Sequence, residues 1–131
     1  MTNNSSIYNQ FGKTIFITGA NSGIGFYSVI KFLETKNYLY VPVRSNIRKE
    51  LFISDLKNFF SESHLKKYLK IINDIDLANL NNVYKLVKFF ENEIINFDIF
   101  ILNAGLQYTG ALYPKVSKQG IELTFAVNHL A

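Results

Sequence analysis

Thr18-Gly19-Ala20-Asn21-Ser22-Gly23-Ile24-Gly25 place three glycines, a threonine and a serine in one short stretch, a composition suited to holding phosphate against bare backbone. An apolar run, Thr14-Ile15-Phe16-Ile17, precedes it. Phe26-Tyr27-Ser28-Val29-Ile30-Lys31-Phe32-Leu33, with helical spacing, follows. Strand, glycine turn and helix in that order form the phosphate-binding entry of a dinucleotide site. Gly19 is expected to permit the tight turn off the strand. Gly23 clears the space where backbone approaches a pyrophosphate, and Gly25 lets the helix pack closely on the sheet. Asn21, Ser22 and Ile24 complete the loop, whose free N–H groups and positive helix end would face the phosphates.

Three further positions could contribute. Val43-Arg44-Ser45 follows a second apolar run and contains no acid to bond a ribose 2′-hydroxyl. Arg44 offers a planar, permanently charged fork suited to a 2′-phosphate, and Ser45 a hydroxyl; the alternative is a solvated surface arginine. These residues favour NADP(H) over NAD(H). In Asn73-Asp74-Ile75-Asp76-Leu77-Ala78, an acid could accept from an adenine amino group. Equally, Asp76 or Asn79 could cap the next helix, and the residues leave both readings open. Asn103-Ala104-Gly105 is a turn of small residues that either admits a ligand to the backbone or simply turns the chain.

The elements that must position these residues alternate along the chain. Strands are expected at Thr14–Thr18, Tyr38–Val43, near Lys70–Asn73 and at Phe97–Leu102. Helices are expected at Gly23–Leu33, over a segment with Leu51, Leu56, Phe59 and Phe60 on one face, at Leu80–Ile95 and from Gly120 to Ala131. The third helix carries Val83, Leu86, Val87, Phe90 and Ile94 on one stripe. Pro42 is awkward inside a strand, because it cannot donate to the ladder. The last strand is almost wholly apolar, as a parallel strand covered on both faces should be. Gln107–Gln119 reads as a loop. This alternation predicts a parallel α/β sheet in the order 3-2-1-4, with ligands bound beyond the carboxyl ends of its strands.

Composition sets the outer limits. The 131 residues suffice for one domain with a core, and 48% hydrophobic against 18% charged residues reads as globular. Net charge is +4, carried by scattered lysines rather than a stripe, so nucleic acid is not implied. No cysteine is present, which excludes a disulfide framework and thiolate metal sites. No apolar run reaches membrane-spanning length, and Met1–Ser6 lacks the features of a secretion signal; the expected compartment is cytoplasmic. His64 and His129 have no partners at metal-ligand spacing.

In order, Thr-Gly-x-x-x-Gly-x-Gly at Thr18–Gly25, Asp76-Leu77, Asn103-Ala104-Gly105 and Val127-Asn128-His129-Leu130 resemble the short-chain dehydrogenase/reductase family, from about Lys13 to Ala131. Arg44, Asp76–Leu80 and Gly120–Leu130 resemble its branch of retinol dehydrogenases and light-dependent protochlorophyllide reductases. Leu102 and Ala131 depart from the family pattern, where a second Asn and a Gly are common. The resemblance implies a Rossmann-type sheet, incomplete here at about four strands, with a polar leader over residues 1–12 and the NADP(H)-binding part of one domain over 13–131. It implies hydride transfer to or from a carbonyl, an alcohol or a ring double bond of a small-molecule substrate, and a homo-oligomeric full-length relative. It also implies a catalytic Ser, a Tyr-x-x-x-Lys pair and a proton-relay Asn. Asn128 matches that Asn; the other three lie downstream in the family, past Ala131. Tyr27/Lys31 and Tyr84/Lys88 match the Tyr-Lys spacing but precede Asn128 on helices flanking the sheet, and are not expected to be catalytic. The expected product is therefore a C-terminally truncated fragment without reductase activity; the alternatives are a non-catalytic NADP(H)-binding module and a non-functional remnant.

Overall fold

A computed structural model describes residues 12–107 and 112–131, so most of the polar leader and part of the expected loop lie outside the described residues. Four parallel strands, β1 (Thr14–Ile17), β2 (Tyr38–Pro42), β3 (Leu69–Ile72) and β4 (Ile99–Ile101), form one sheet in the order β3-β2-β1-β4, as expected. The crossovers carry α1 (Gly23–Glu34), α2 (Asn46–Leu56), α3 (Glu62–Tyr68) and α4 (Leu80–Asn92).

Two cores sandwich the sheet. Ile15, Ile17, Leu39 and Val41 pack with Val29, Leu33, Phe52, Leu56 and Leu65. On the other face Phe16 meets Leu86 of α4 and Ile75, with Tyr40, Phe90 and Phe97 around them. Phe16 makes edge contacts to Phe90 and Phe97, at ring separations of 5.4 and 5.9 Å. The period-2 alternation of β1 and β2 thus feeds both layers.

Helix ends are tied to strand starts. Asn37, fully buried, accepts from Lys13 N–H at 2.9 Å and donates to the Phe32 carbonyl and the Thr35 hydroxyl. It thereby fixes the end of α1 against the entry to β1. Pro42 closes β2. Tyr38 N–H donates to the Lys13 carbonyl, so by strand alternation Tyr40 also faces β1 and Pro42 would be next. The β1–β2 register stops at Phe16↔Tyr40, one donor short of the glycine turn. Val43 N–H, facing the other way, still bonds the Ile72 carbonyl at 2.9 Å.

Five expectations are corrected. Phe52 and Leu56 bury the face of α2, whereas Leu51 and Phe59 are exposed: adjacent apolar residues left the helical phase ambiguous. α3 occupies a stretch without an expected helix, begun by the Ser61 hydroxyl capping His64 N–H at 3.3 Å. α4 ends at Asn92, which leaves Ile94 exposed past its end, and Val87, within the helix, borders an open groove rather than the core. β4 is not covered on both faces; Phe100 and Leu102 border an open apolar groove of about 530 Å³ beside α4. The final helix starts later than expected. Glu122 caps it through Thr124 and Phe125 N–H at 2.9 and 2.8 Å, giving α5 (Leu123–Phe125), which runs into a π-turn at Ala126–Leu130.

Candidate functional site: a cleft at the carboxyl ends of the strands

Past the carboxyl ends of β1, β2 and β4 lies a cleft of about 610 Å³. Its inner corner is a clamp between two turns. Thr18 Oγ1 accepts from Ala104 N–H at 3.0 Å, while Asn103 Nδ2 donates to the carbonyls of Thr18 and Gly19 at 3.1 and 3.2 Å. Gly19 sits at φ +64°, and a Cβ there would meet the Ala104 Cα at 2.8 Å. A Cβ at Gly25 would run into the Gly19 carbonyl oxygen and the Asn103 amide, so the first turn of α1 is pressed onto the strand exit itself. Asn103-Ala104-Gly105 is thus a packed partner of the glycine turn.

The outer part of the loop is open. Gly23, at φ +52°, has nothing within 4 Å of where a side chain would begin. Ser22 occupies the N-cap position of α1 without making a side-chain cap bond. The amides of that first turn therefore keep their capacity to bind an anion, aided by the helix dipole.

Arg44 lines the cleft from the end of β2. Ser45 does not; its hydroxyl caps α2 by accepting from Arg48 N–H at 3.4 Å. That cap brings Arg48, not singled out from sequence, to the cleft wall beside Arg44. The spacing held a hint, since a cap followed by Arg in the first helical turn projects a second guanidinium near the same opening. Lys118 joins them from the segment before α5, a placement no local pattern announces. Among the described lining residues, Asp76 alone is an acid. Its Oδ1 accepts from Ala78 N–H at 3.0 Å, and Asn79 rather than Asp76 caps α4.

Gly19, Asn21, Ser22, Arg44, Asp76, Leu77, Asn103, Ala104 and Gly105 are thus brought together along one cleft. Gly23, Ile24 and Gly25 build the loop and helix start without lining it. Asn128 stands behind the wall: it accepts from Leu106 N–H at 2.8 Å and donates to the Leu106 carbonyl at 2.9 Å, and Leu106 lines the cleft. Tyr27 and Tyr84 are 67% and 69% exposed, away from it. Their lysines pair instead with Glu34 and Glu91. His64 bonds the Leu33 carbonyl and stacks on Phe60; His129 stacks on Phe125. Among the described residues no cluster could hold a metal, and no helix is long and apolar enough to cross a membrane.

The short chain dehydrogenase family model matches residues 13–131. WW domain-containing oxidoreductase of Homo sapiens is 32% identical over 119 residues, 91% of this chain and 27% of that protein. Retinol dehydrogenase 14 of Mus musculus is 29% identical over 124 residues (91% and 36%), and chloroplastic protochlorophyllide reductase of Daucus carota 27% over 118 (89% and 28%). A solved 4-hydroxyisoleucine dehydrogenase complexed with NADH superposes with a TM-score of 0.66 at 27% identity, covering 91% of this chain and 44% of that one. The chain spans about a quarter to a third of the length of these curated relatives.

Proposed function

The chain belongs to the short chain dehydrogenase family, and from that membership we propose that its cleft binds NADP(H) in preference to NAD(H), as the cofactor-holding part of an oxidoreductase. The observation that carries this is the pair Arg44, just past β2, and Arg48, in the first turn of α2, both lining the cleft, with no acid between Val43 and Asn46. Two guanidiniums there suit a ribose 2′-phosphate, and an acid suited to a bare 2′-hydroxyl is lacking. The uncapped start of α1 and the open space at Gly23 fit a pyrophosphate, and Asp76 and Leu77 would take the adenine end.

When bound, the cofactor supplies or accepts hydride, for a small carbonyl, alcohol or ring double bond in our reading. The residues of this chain bind and orient it. Among the described residues lining the cleft there is neither tyrosine nor histidine. We therefore propose that this chain alone binds cofactor without turning over carbonyl substrates. Titration of the full chain with NADPH and with NADH tests the first claim; tighter NADPH binding is expected, and equal affinities would overturn it. The NADH in the solved 4-hydroxyisoleucine dehydrogenase favours the competing reading, and the same titration decides between them. NADPH oxidation across aldehyde and ketone panels tests the second claim. Turnover at an ordinary enzymatic rate would overturn it, and its loss or survival in Tyr27→Phe and Tyr84→Phe would tell whether either tyrosine supplies the proton.

A further inference from the structure

The cations that line the cleft reach it from opposite layers of the fold. Arg44 and Arg48 arrive with α2, which packs through Phe52 and Leu56 on the face of the sheet it shares with α1. Lys118 belongs to a segment held on the other face. Its neighbour Gln119 donates from Nε2 to the Asn79 side chain at 2.9 Å and accepts Leu80 N–H at 3.4 Å. It thereby grips the start of α4, the helix that packs over Phe16.

The backbone that carries Lys118 is closely tied. Gly120 N–H bonds the Ser117 carbonyl at 3.0 Å, which makes a turn with Lys118 and Gln119 at its tip. The hydroxyl of buried Ser117 accepts from Gln119 and Ile121 N–H at 3.3 and 3.2 Å, and Ser117 N–H donates to the Ile121 carbonyl at 2.7 Å. The two tip residues then divide: Gln119 fastens the turn to α4, and Lys118 lines the cleft. Among the described residues, no ion pair involves Arg44, Arg48 or Lys118. Three cations against the single carboxylate of Asp76 leave two positive charges on the described lining. A phosphomonoester carries about −1.5 to −2 near neutral pH, whereas adenine is neutral and a ribose hydroxyl calls for no cation. The pyrophosphate has the amides at the start of α1, so the excess matches the 2′-phosphate.

We propose that Lys118 is a specificity-determining residue for the cofactor, closing on the 2′-phosphate from the wall opposite Arg44 and Arg48, with Gln119 as the positioning residue that holds it there. This rests on the NADP(H) reading of the cleft. The guanidiniums stay with α2 and fix one side of the phosphate; the flexible four-carbon stem of the lysine brings a compact charge to the other. Because Gln119 is fastened to Asn79 and Leu80, just after Asp76 and Leu77, one contact sets the phosphate and adenine subsites relative to each other.

Isothermal titration of the full chain with NADPH and with NADH tests this. Lys118→Met keeps the apolar stem and removes the charge. It should weaken NADPH about tenfold, as for one lost charge-assisted contact, and leave NADH within about twofold, with helix content unchanged. Its NADPH affinity should also fall less steeply with salt than the parent's. Gln119→Ala should weaken NADPH by about threefold in the parent and by nothing further in Lys118→Met, since a positioning residue acts through the group it holds. A Lys118→Met variant that keeps the parent's preference for NADPH would overturn the proposal. Parallel losses of both cofactors would do the same, by assigning the ammonium to a part that NADH shares. Additive losses in the double variant would remove Gln119 from its role. A parent that binds the two cofactors alike would overturn the cleft reading and this one with it, so the two failures are told apart by which protein lacks the preference.

Discussion

The carboxamide of Asn128 engages both main-chain groups of Leu106, accepting from its N–H at 2.8 Å and donating to its carbonyl at 2.9 Å across 22 positions of sequence. This reciprocal pair moors the wall segment after β4 to the π-turn. An Asp at 128 could keep the accepting bond but not the donating one. Asn128→Ala should destabilise the chain by about 1–2 kcal/mol, two modest hydrogen bonds, and speed hydrogen exchange at Leu106. Unaltered exchange there would show that the wall is held by other contacts.

Arg44→Ala and Arg48→Ala should each weaken NADPH more than NADH, by roughly 1.5–3 kcal/mol for a lost charge-assisted hydrogen bond. Isothermal titration with both cofactors reads this directly. Parallel losses for the two would mean that the guanidiniums serve the pyrophosphate or merely the cleft's overall potential.

Two alanine substitutions in the glycine loop should behave differently. Gly25→Ala drives a methyl into the Gly19 carbonyl and Asn103 amide, both held by the clamp, and should cost about 1–3 kcal/mol of stability along with cofactor binding. Gly23→Ala meets open space and pays only for its left-handed backbone, about 1–2 kcal/mol, so a folded protein with impaired binding is expected. Thermal melts of the two, beside NADPH titrations, separate packing from approach.

Ile94 is a β-branched residue at φ +50°, just past the end of α4, where glycine or asparagine is usual. Ile95 N–H still reaches back to the Phe90 carbonyl at 3.2 Å, so the helix closes normally at the expense of strain in Ile94, which is itself 83% exposed. Ile94→Gly should therefore raise stability by about 1 kcal/mol, as measured by urea denaturation. A loss would place an unrecognised contact on the isoleucine side chain.

Asp98 accepts Thr14 N–H at 2.8 Å and lies 3.5 Å from the Lys13 ammonium. The Thr14 N–H first, and then the Lys13 charge, hold its carboxyl below the ordinary value of 3.8 despite some loss of hydration. A depressed folded-state value means that the stabilisation is present above 3.8 and disappears as the pH falls through the lower folded value. Asp98→Asn should thus be less stable than the parent at neutral pH, with the gap narrowing on acidification below 3.8. A gap that persists in acid would assign the effect to geometry rather than ionisation.

Much of this was legible beforehand because the informative residues act locally. The glycine turn, the strand alternation and the order β3-β2-β1-β4 follow from period and punctuation, and the retinol dehydrogenase-like resemblance rests on short ordered motifs. What escaped depends on phase or on distance. Leu51 and Phe52 both fit a buried stripe, and only packing under α2 chooses Phe52. α3 is seven residues long with one buried side chain, too short to show a period. Arg48 reaches the cleft because Ser45 sets where α2 starts, and Lys118 because the chain returns from far along the sequence.

Pro42 has a consequence for the cleft that lines up with its position in the wall. An ordinary residue there would offer β2 one more donor toward the Ile17 carbonyl, and the two central strands could zip a rung further, beneath the glycine turn. The imide ring withholds that rung. How deep a ligand can sit between the strands is therefore set by a single missing hydrogen atom, and a backbone donor restored at position 42 would make the cleft shallower from below while leaving every other side chain of the wall in place.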